Sequence, residues 1–227
     1  MKTNFNKKSS FLFTMIGLGL IFLSSCKTDD PEPIVYGDAS VRVVNAVPGS
    51  AAQDFYQGGT KVSTTAVAYG NYSDYLTIKG GNSTIQFKNT GTTTLTAQSP
   101  LGAETGSRFT VFYFTDGTGA GQVRGFGNDP TAVAGKVKIR FYNLGSAFGS
   151  TPISVTLAGG TGLLSGLTFP NVSGYGNIDA GVDLSVTLLG SAPFTISGNQ
   201  FVAGKIYTVW FDAASATAAN YHIIQEN

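Results

Sequence analysis

At 227 residues the chain has room for one large domain or two small ones, and a content of 42% hydrophobic and 12% aromatic residues is enough to build a core. Only 12% of residues are charged, about half the usual share for a soluble domain, and a formal net charge of +1 gives no electrostatic footprint for nucleic acid. The single cysteine and single histidine exclude an internal disulfide and a Cys/His zinc site, while 30 glycines and frequent threonine suit a secreted β protein.

The first eight residues carry Lys2, Lys7 and Lys8 and no acid, Phe11 to Leu23 is apolar apart from Thr14, and Leu23-Ser24-Ser25-Cys26 follows. A basic start, a short apolar centre and a small-residue end describe a secretory signal peptide. The apolar run of 13 residues falls short of the roughly 20 that span a bilayer as a helix. Leu-Ser-Ser-Cys resembles the bacterial lipobox, which implies cleavage before Cys26 and a diacylglycerol on its thiol. Acyl chains contribute about 0.8 kcal/mol per buried methylene, so two or three of them anchor firmly. Loss of residues 1–25 takes three of the fourteen basic residues and leaves eleven against thirteen acids; the lipid, not basic attraction, must then hold the membrane. Lys27-Thr28-Asp29-Asp30-Pro31-Glu32-Pro33 reads as a flexible, extended tether. Its lysine and acidic pair resemble the surface-export signal of some Gram-negative lineages, which implies the outer face of the outer membrane.

Beyond the tether the chain reads as short β-rich runs between turn signals. Val41-Arg42-Val43-Val44-Asn45 is one such run, Thr84-Ile85-Gln86-Phe87 alternates with the period of a half-buried strand, and Phe109 to Phe114 is β-branched and aromatic. Gly58-Gly59 between Asp54-Phe55-Tyr56 and Lys61-Val62 reads as a hairpin. No segment after Cys26 sustains a helical period; the alanine-rich Ala213–Ala219 reads as a loop or one helical turn. Internal similarity is the most informative feature. Val41–Asn45 matches Ile139–Asn143 and Phe109–Tyr113 matches Tyr207–Phe211, both at an offset of 98, and Tyr72-Ser73-Asp74-Tyr75 weakly matches Val172-Ser173-Gly174-Tyr175 at an offset of 100. The expected organisation is a lipoprotein signal peptide over 1–25, a tether over 26–38, a β-sandwich over 39–128, a linker over 129–135 and a second β-sandwich over 136–227. Units of this size with roughly seven strands each predict an all-β chain of two tandem immunoglobulin-like sandwiches; a single barrel made from both is the alternative.

Val41 to Gly49, followed by Asp54-Phe55-Tyr56, Gly59-Thr60-Lys61-Val62 and Tyr69 to Ile78, resembles domain-of-unknown-function family 4397 over roughly residues 39–120. The resemblance implies a secreted or surface-anchored bacterial protein, often with the domain in tandem, and transfers no catalytic residues. The second unit keeps the arginine-containing first strand and lacks a clear Asp-Phe-Tyr hairpin.

Chemistry-bearing groups are few. His222, in Tyr221-His222-Ile223-Ile224, needs a positioned partner to act as a base and reads as an exposed or hydrogen-bonded strand residue. Asp116-Gly117-Thr118-Gly119 reads as a turn. Gly159-Gly160-Thr161-Gly162 lacks the Gly-Lys-Ser/Thr of a phosphate loop and reads as a hairpin. Asp179 and Asp183 have the spacing of a carboxylate pair, but acid–base work depends on their separation across a cleft. No Gly-x-Ser-x-Gly elbow is present. No catalytic residue, metal site or cofactor is therefore expected.

The aromatics carry the functional expectation. Tyr69, Tyr72 and Tyr75 fall within seven residues, and tyrosine supplies rigid contact area with a hydroxyl. Tyr72 and Tyr75 are the candidate ligand-binding residues, although three-residue spacing would point them to opposite faces of an extended strand. Phe112 and Phe114, on the second face of their strand, are expected to meet the other unit. The sequence thus reads as a non-enzymatic envelope protein, lipid-anchored through Cys26 and displayed on the outer membrane. It would bind a glycan or another envelope protein through aromatic and amide side chains. The alternative is a structural spacer without a ligand.

Overall fold

The computed structural model describes residues 36–227; the segment read as a signal peptide, Cys26 and most of the segment read as a tether lie outside the described residues. In the first half, β1 (Asp38–Asn45), β4 (Leu76–Lys79), β7 (Arg108–Thr115) and β8 (Gly121–Gly127) form a sheet in the order β4-β1-β7-β8. A second sheet runs β3 (Thr60–Lys61), β2 (Gln53–Gln57), β5 (Gly81–Asn89), β6 (Leu95–Ala103). The second half repeats the plan. There β12 (Gly176–Asp179), β9 (Lys136–Asn143), β15 (Ile206–Ser215) and β16 (Ala218–Gln225) form one sheet, and β11 (Gly162–Leu167), β10 (Ile153–Leu157), β13 (Leu184–Leu188) and β14 (Phe194–Ile196) the other. The fold is thus two β-sandwiches in tandem, each of eight strands rather than the expected seven.

The alternation of apolar residues decides which face is covered. In β5, Ile85 and Phe87 are buried with Val41, Val43, Phe55 and Val111 in the first sandwich's core. Val137, Ile139, Val155, Val186 and Val209 are among the residues that fill the second. β1 and β7 pair in parallel, as do β9 and β15, with Arg42 opposite Thr110 and Arg140 opposite Thr208. These four strands are buried on both faces. Their second face builds a third core from Val44, Phe112, Phe114, Tyr142 and Trp210, with Phe126 and Phe169 packed against it. Phe112 and Phe114 therefore meet the other half, as expected.

Local chemistry sets the turns. Gly58 and Gly59 have φ of 54° and 83°, the pair of positive values that a two-residue hairpin requires. Gly159 and Gly160 turn β10 into β11. Asp116 closes its turn by accepting from the Thr118 backbone and hydroxyl and from Ala120 N–H, contacts that hold its carboxyl below the usual range. Two readings change. Ala213–Ala219 is neither loop nor helical turn but a hairpin, because pairing of β15 with β16 overrides alanine's helix preference. Tyr36 to Asp38, read as the end of the tether, already belong to the fold: Gly80 N–H donates to Gly37 O, and Asp38 pairs with Lys79. Among the described residues no helix is long and apolar enough to cross a membrane.

Candidate functional site

Tyr69 to Tyr75 runs beside β1 before β4 takes up regular pairing. Gly70, at φ 78°, makes the turn and donates to Asn45 O. Tyr72 bridges to Val44, and Ser73 both donates to Val43 O and accepts from Val43 N–H. The segment is not an extended strand, so the opposite-face expectation for Tyr72 and Tyr75 fails: both rings lie against the Arg42 guanidinium, whose Cζ is 5.0 Å from the Tyr72 centroid and 4.4 Å from that of Tyr75.

The two tyrosines then part in role. Tyr72 is 41% exposed. It lines a groove of about 320 Å³ with Thr64, Thr65, Asn71, Ser73 and Asp74. One aromatic face, an amide, three hydroxyls and a carboxylate are the set that recognises a polyhydroxylated ligand. Tyr75 is committed to the seam between the halves. Its hydroxyl accepts from Asn128 Nδ2 at 2.6 Å and donates to Glu226 O at 3.3 Å.

The seam has an approximate two-fold relation in which contacts recur 98 to 100 residues along with the halves exchanged. Arg42 donates to Gln225 O, and Arg140 donates to Gly127 O. Phe114 packs on Phe169, and in the counterpart positions Asp212 bonds Tyr69. Asn128 and Glu226 are counterparts too, and they differ in charge. Arg140 and Glu226, 4% and 2% exposed in their side chains, pair at 3.0 Å. Thr208 and Tyr175 donate to the Glu226 carboxylate, while Arg140 also donates to Asn128 Oδ1. Burial, reinforced by the Glu226 bond, pushes the Tyr175 hydroxyl far above its ordinary pKa. Burial pulls Arg140 down, opposed by Glu226. Arg42 is 8% exposed, and its Nε finds no hydrogen-bond partner among the described residues.

His222 does have a partner. Its Nε2 lies 3.1 Å from Asp212 Oδ2, which also accepts from Tyr69 at 2.6 Å, while Asn220 donates to Oδ1. The imidazole stacks on Trp210 with centroids 3.8 Å apart. Burial raises the Asp212 pKa, but bonds from His222, Tyr69 and Asn220 outweigh it and leave the carboxyl below its ordinary value. Burial and the Asp212 bond push Tyr69 up to about 12. With both carboxylate oxygens engaged and the ring covered by Trp210, the cluster fastens Tyr69 of the first half to the second. Asp179 and Asp183 do not face each other as a pair: the first bridges to Lys136, and the second accepts from Gly198 N–H. Among the described residues no group of three or more His, Cys, Asp or Glu side chains is placed to hold a metal.

Sequence reading missed Asp212, Glu226 and Asn128, partners that lie 143, 86 and 53 residues from Tyr69, Arg140 and Tyr75. The one signal for them was the 98-residue offset, which makes Asn128 the counterpart of Glu226.

The model of the family described as "Domain of unknown function (DUF4397)" matches residues 39–153, which runs from β1 through β9 to the first residue of β10. No curated protein matches the chain in sequence. Among solved structures, the crystal structure of CBMbc (family CBM26) from Eubacterium rectale Amy13K in complex with maltoheptaose is similar at 14% identity. That likeness covers 84% of this chain and 98% of that chain at a TM-score of 0.24; a superposition this loose carries no argument here.

Proposed function

We propose that this chain, which belongs to the DUF4397 family of domains of unknown function, is a non-catalytic binding protein of the bacterial envelope. It is held to the outer membrane by a lipid on Cys26, and it presents the Tyr72 groove to a neutral glycan. The anchoring part is supported by the Leu-Ser-Ser-Cys segment after a short apolar run. The observation that carries the binding part is the exposed Tyr72 ring, backed by Arg42 and bordered by Asn71, Thr64 and Thr65. Sugar rings stack on such a face while their hydroxyls pair with amides and hydroxyls.

The test is a glycan array and calorimetric titration of the detergent-solubilised full chain and its Tyr72→Ala variant, with and without chelator. Binding that is indifferent to chelator and falls about five- to thirtyfold in the variant is expected, since stacking on one ring contributes on the order of 1–2 kcal/mol. Equal binding by both proteins overturns the assignment of the site. Chelator-sensitive binding overturns its metal-free chemistry. A second reading, a spacer without a ligand, is favoured by the third hydrophobic core, which joins the two halves; no binding to any glycan by folded wild type would support it.

A further inference from the structure

The Tyr72 groove lies on the first half, and the divergence of the two halves shows what it depends on. Counterparts of Tyr72 and Asp74 in the second half are Val172 and Gly174, so the ring and the carboxylate are both missing there. The arginines diverge with them. Arg140 is engaged by Glu226, Asn128, Thr208 and Gly127 inside the seam. Asn128 stands where Glu226 stands in the second half, which leaves the first half without the equivalent carboxylate. Both guanidiniums lie over two rings, Arg140 over Phe126 and Tyr175 and Arg42 over Tyr72 and Tyr75, but the Arg42 side chain has one hydrogen-bond partner among the described residues, Gln225 O, and one of its rings, Tyr72, is exposed.

We infer that Arg42 is a positioning residue for the Tyr72 ring, that the second half holds Arg42 in place through the Gln225 carbonyl, and that the chain therefore carries one glycan site of this kind, on its first half. The inference rests on reading the Tyr72 groove as a glycan site. A guanidinium is suited to the task because it stacks on aromatic faces and donates in a fixed fork at once. One donor reaches across to the second half while the plane supports two rings of the first. An exposed tyrosine without that support loses rotamer freedom when a ligand orders it, at roughly 0.5–1.5 kcal/mol per side chain, which is about two- to tenfold in affinity.

The experiment is a double-mutant cycle on the full chain, titrated with neutral oligosaccharides (cellohexaose, maltoheptaose and chitohexaose), with melting temperature and circular dichroism recorded for each protein. Wild type should bind at one equivalent. Arg42→Met should weaken binding two- to tenfold, and adding Arg42→Met to Tyr72→Ala should cost nothing more, because Arg42 acts through the ring. Arg42→Lys, which keeps the cation and loses the fork, should fall between wild type and Arg42→Met; it replaces Arg42→Met in the cycle if the latter does not fold. Additive losses, wild-type affinity in a folded Arg42→Met protein, or two equivalents bound would each overturn the inference. If Tyr72→Ala alone abolishes binding and Arg42→Met changes nothing, the glycan reading stands and this one falls. If folded wild type binds none of the three and no glycan on the array, both fall.

Discussion

Asp212 shows how one side chain can join two sandwiches. It is 1% exposed and stays ionised because three donors face it, one of them the Tyr69 hydroxyl of the first half. Its folded pKa lies below the ordinary 3.8. The carboxylate therefore adds stability at every pH above its unfolded value, and that contribution is lost as pH falls through the lower folded value. Asp212→Asn should cost roughly 1.5–3 kcal/mol at pH 7, the range for hydrogen bonds to a charged group. The difference from wild type should shrink below about pH 4, because protonation then weakens the wild type as well. Denaturant melts at pH 7, 4 and 3 check this; a gap that does not change with pH would show that the charge of Asp212 contributes nothing. At the same scale Cys26→Ser should abolish incorporation of labelled palmitate and leave the protein uncleaved or released. Persistent membrane fractionation together with an unlabelled wild type would remove the lipid from the account.

At the level of elements, strands were legible wherever side chains alternated or clustered by β preference. Thr84–Phe87 and Phe109–Phe114 lie inside β5 and β7. Ala213–Ala219 misled because alanine's preference for helix is weak, and pairing with a neighbouring strand outweighs it. Tyr69–Tyr75 misled for a different reason. Gly70 turns the chain, and single bridges replace a continuous ladder, so period-two reasoning does not apply. That turn is testable. Gly70 has φ 78°, and a Cβ there would meet His222 Cε1 at 3.2 Å; Gly49 has φ 72° with nothing within 4 Å. Both glycine-to-alanine changes carry a backbone cost of about 1–2 kcal/mol. Gly70→Ala should cost more than Gly49→Ala, and it alone should broaden the His222 ring resonances in an NMR spectrum. Equal cost with an unaltered His222 signal would show that the turn is not tied to the second half.

At the scale of the whole molecule there are three cores, and the third is built where sequence reading expected Phe112 and Phe114 to meet the other unit. The third core includes Phe112, Tyr142 and Trp210, each with no exposed surface. Phe112 sits edge-on to Tyr142 and Trp210, with centroids 5.1 and 6.1 Å away. Removing a buried phenylalanine side chain costs about 3–5 kcal/mol. Because this one contacts both halves, Phe112→Ala should lower hydrogen-exchange protection at Val209 in β15 as well as at Val111 in β7. Protection lost at Val111 alone would mean that the halves unfold independently.

The sequence by itself determined what depends on neighbours along the chain. Strand content follows from period-two alternation, hairpins from paired glycines, and the duplication from a constant offset that paired Arg42 with Arg140 and Thr110 with Thr208 before any fold was known. The expectation of a secretory signal and lipid attachment at Cys26 rests on sequence alone, since those residues lie outside the described ones. Tertiary structure alone decided which duplicated positions face each other. Asn128 and Glu226 are interchangeable in a repeat alignment, yet their different charges give Arg140 a buried ion pair beside its two rings and leave Arg42 with two rings and the Gln225 carbonyl. The physical reason is that burial turns a difference of one carboxylate into a choice of partner. A guanidinium taken out of water must be compensated by whatever the fold brings to it, and residues 53 to 183 positions apart meet only when two sandwiches close on a shared face.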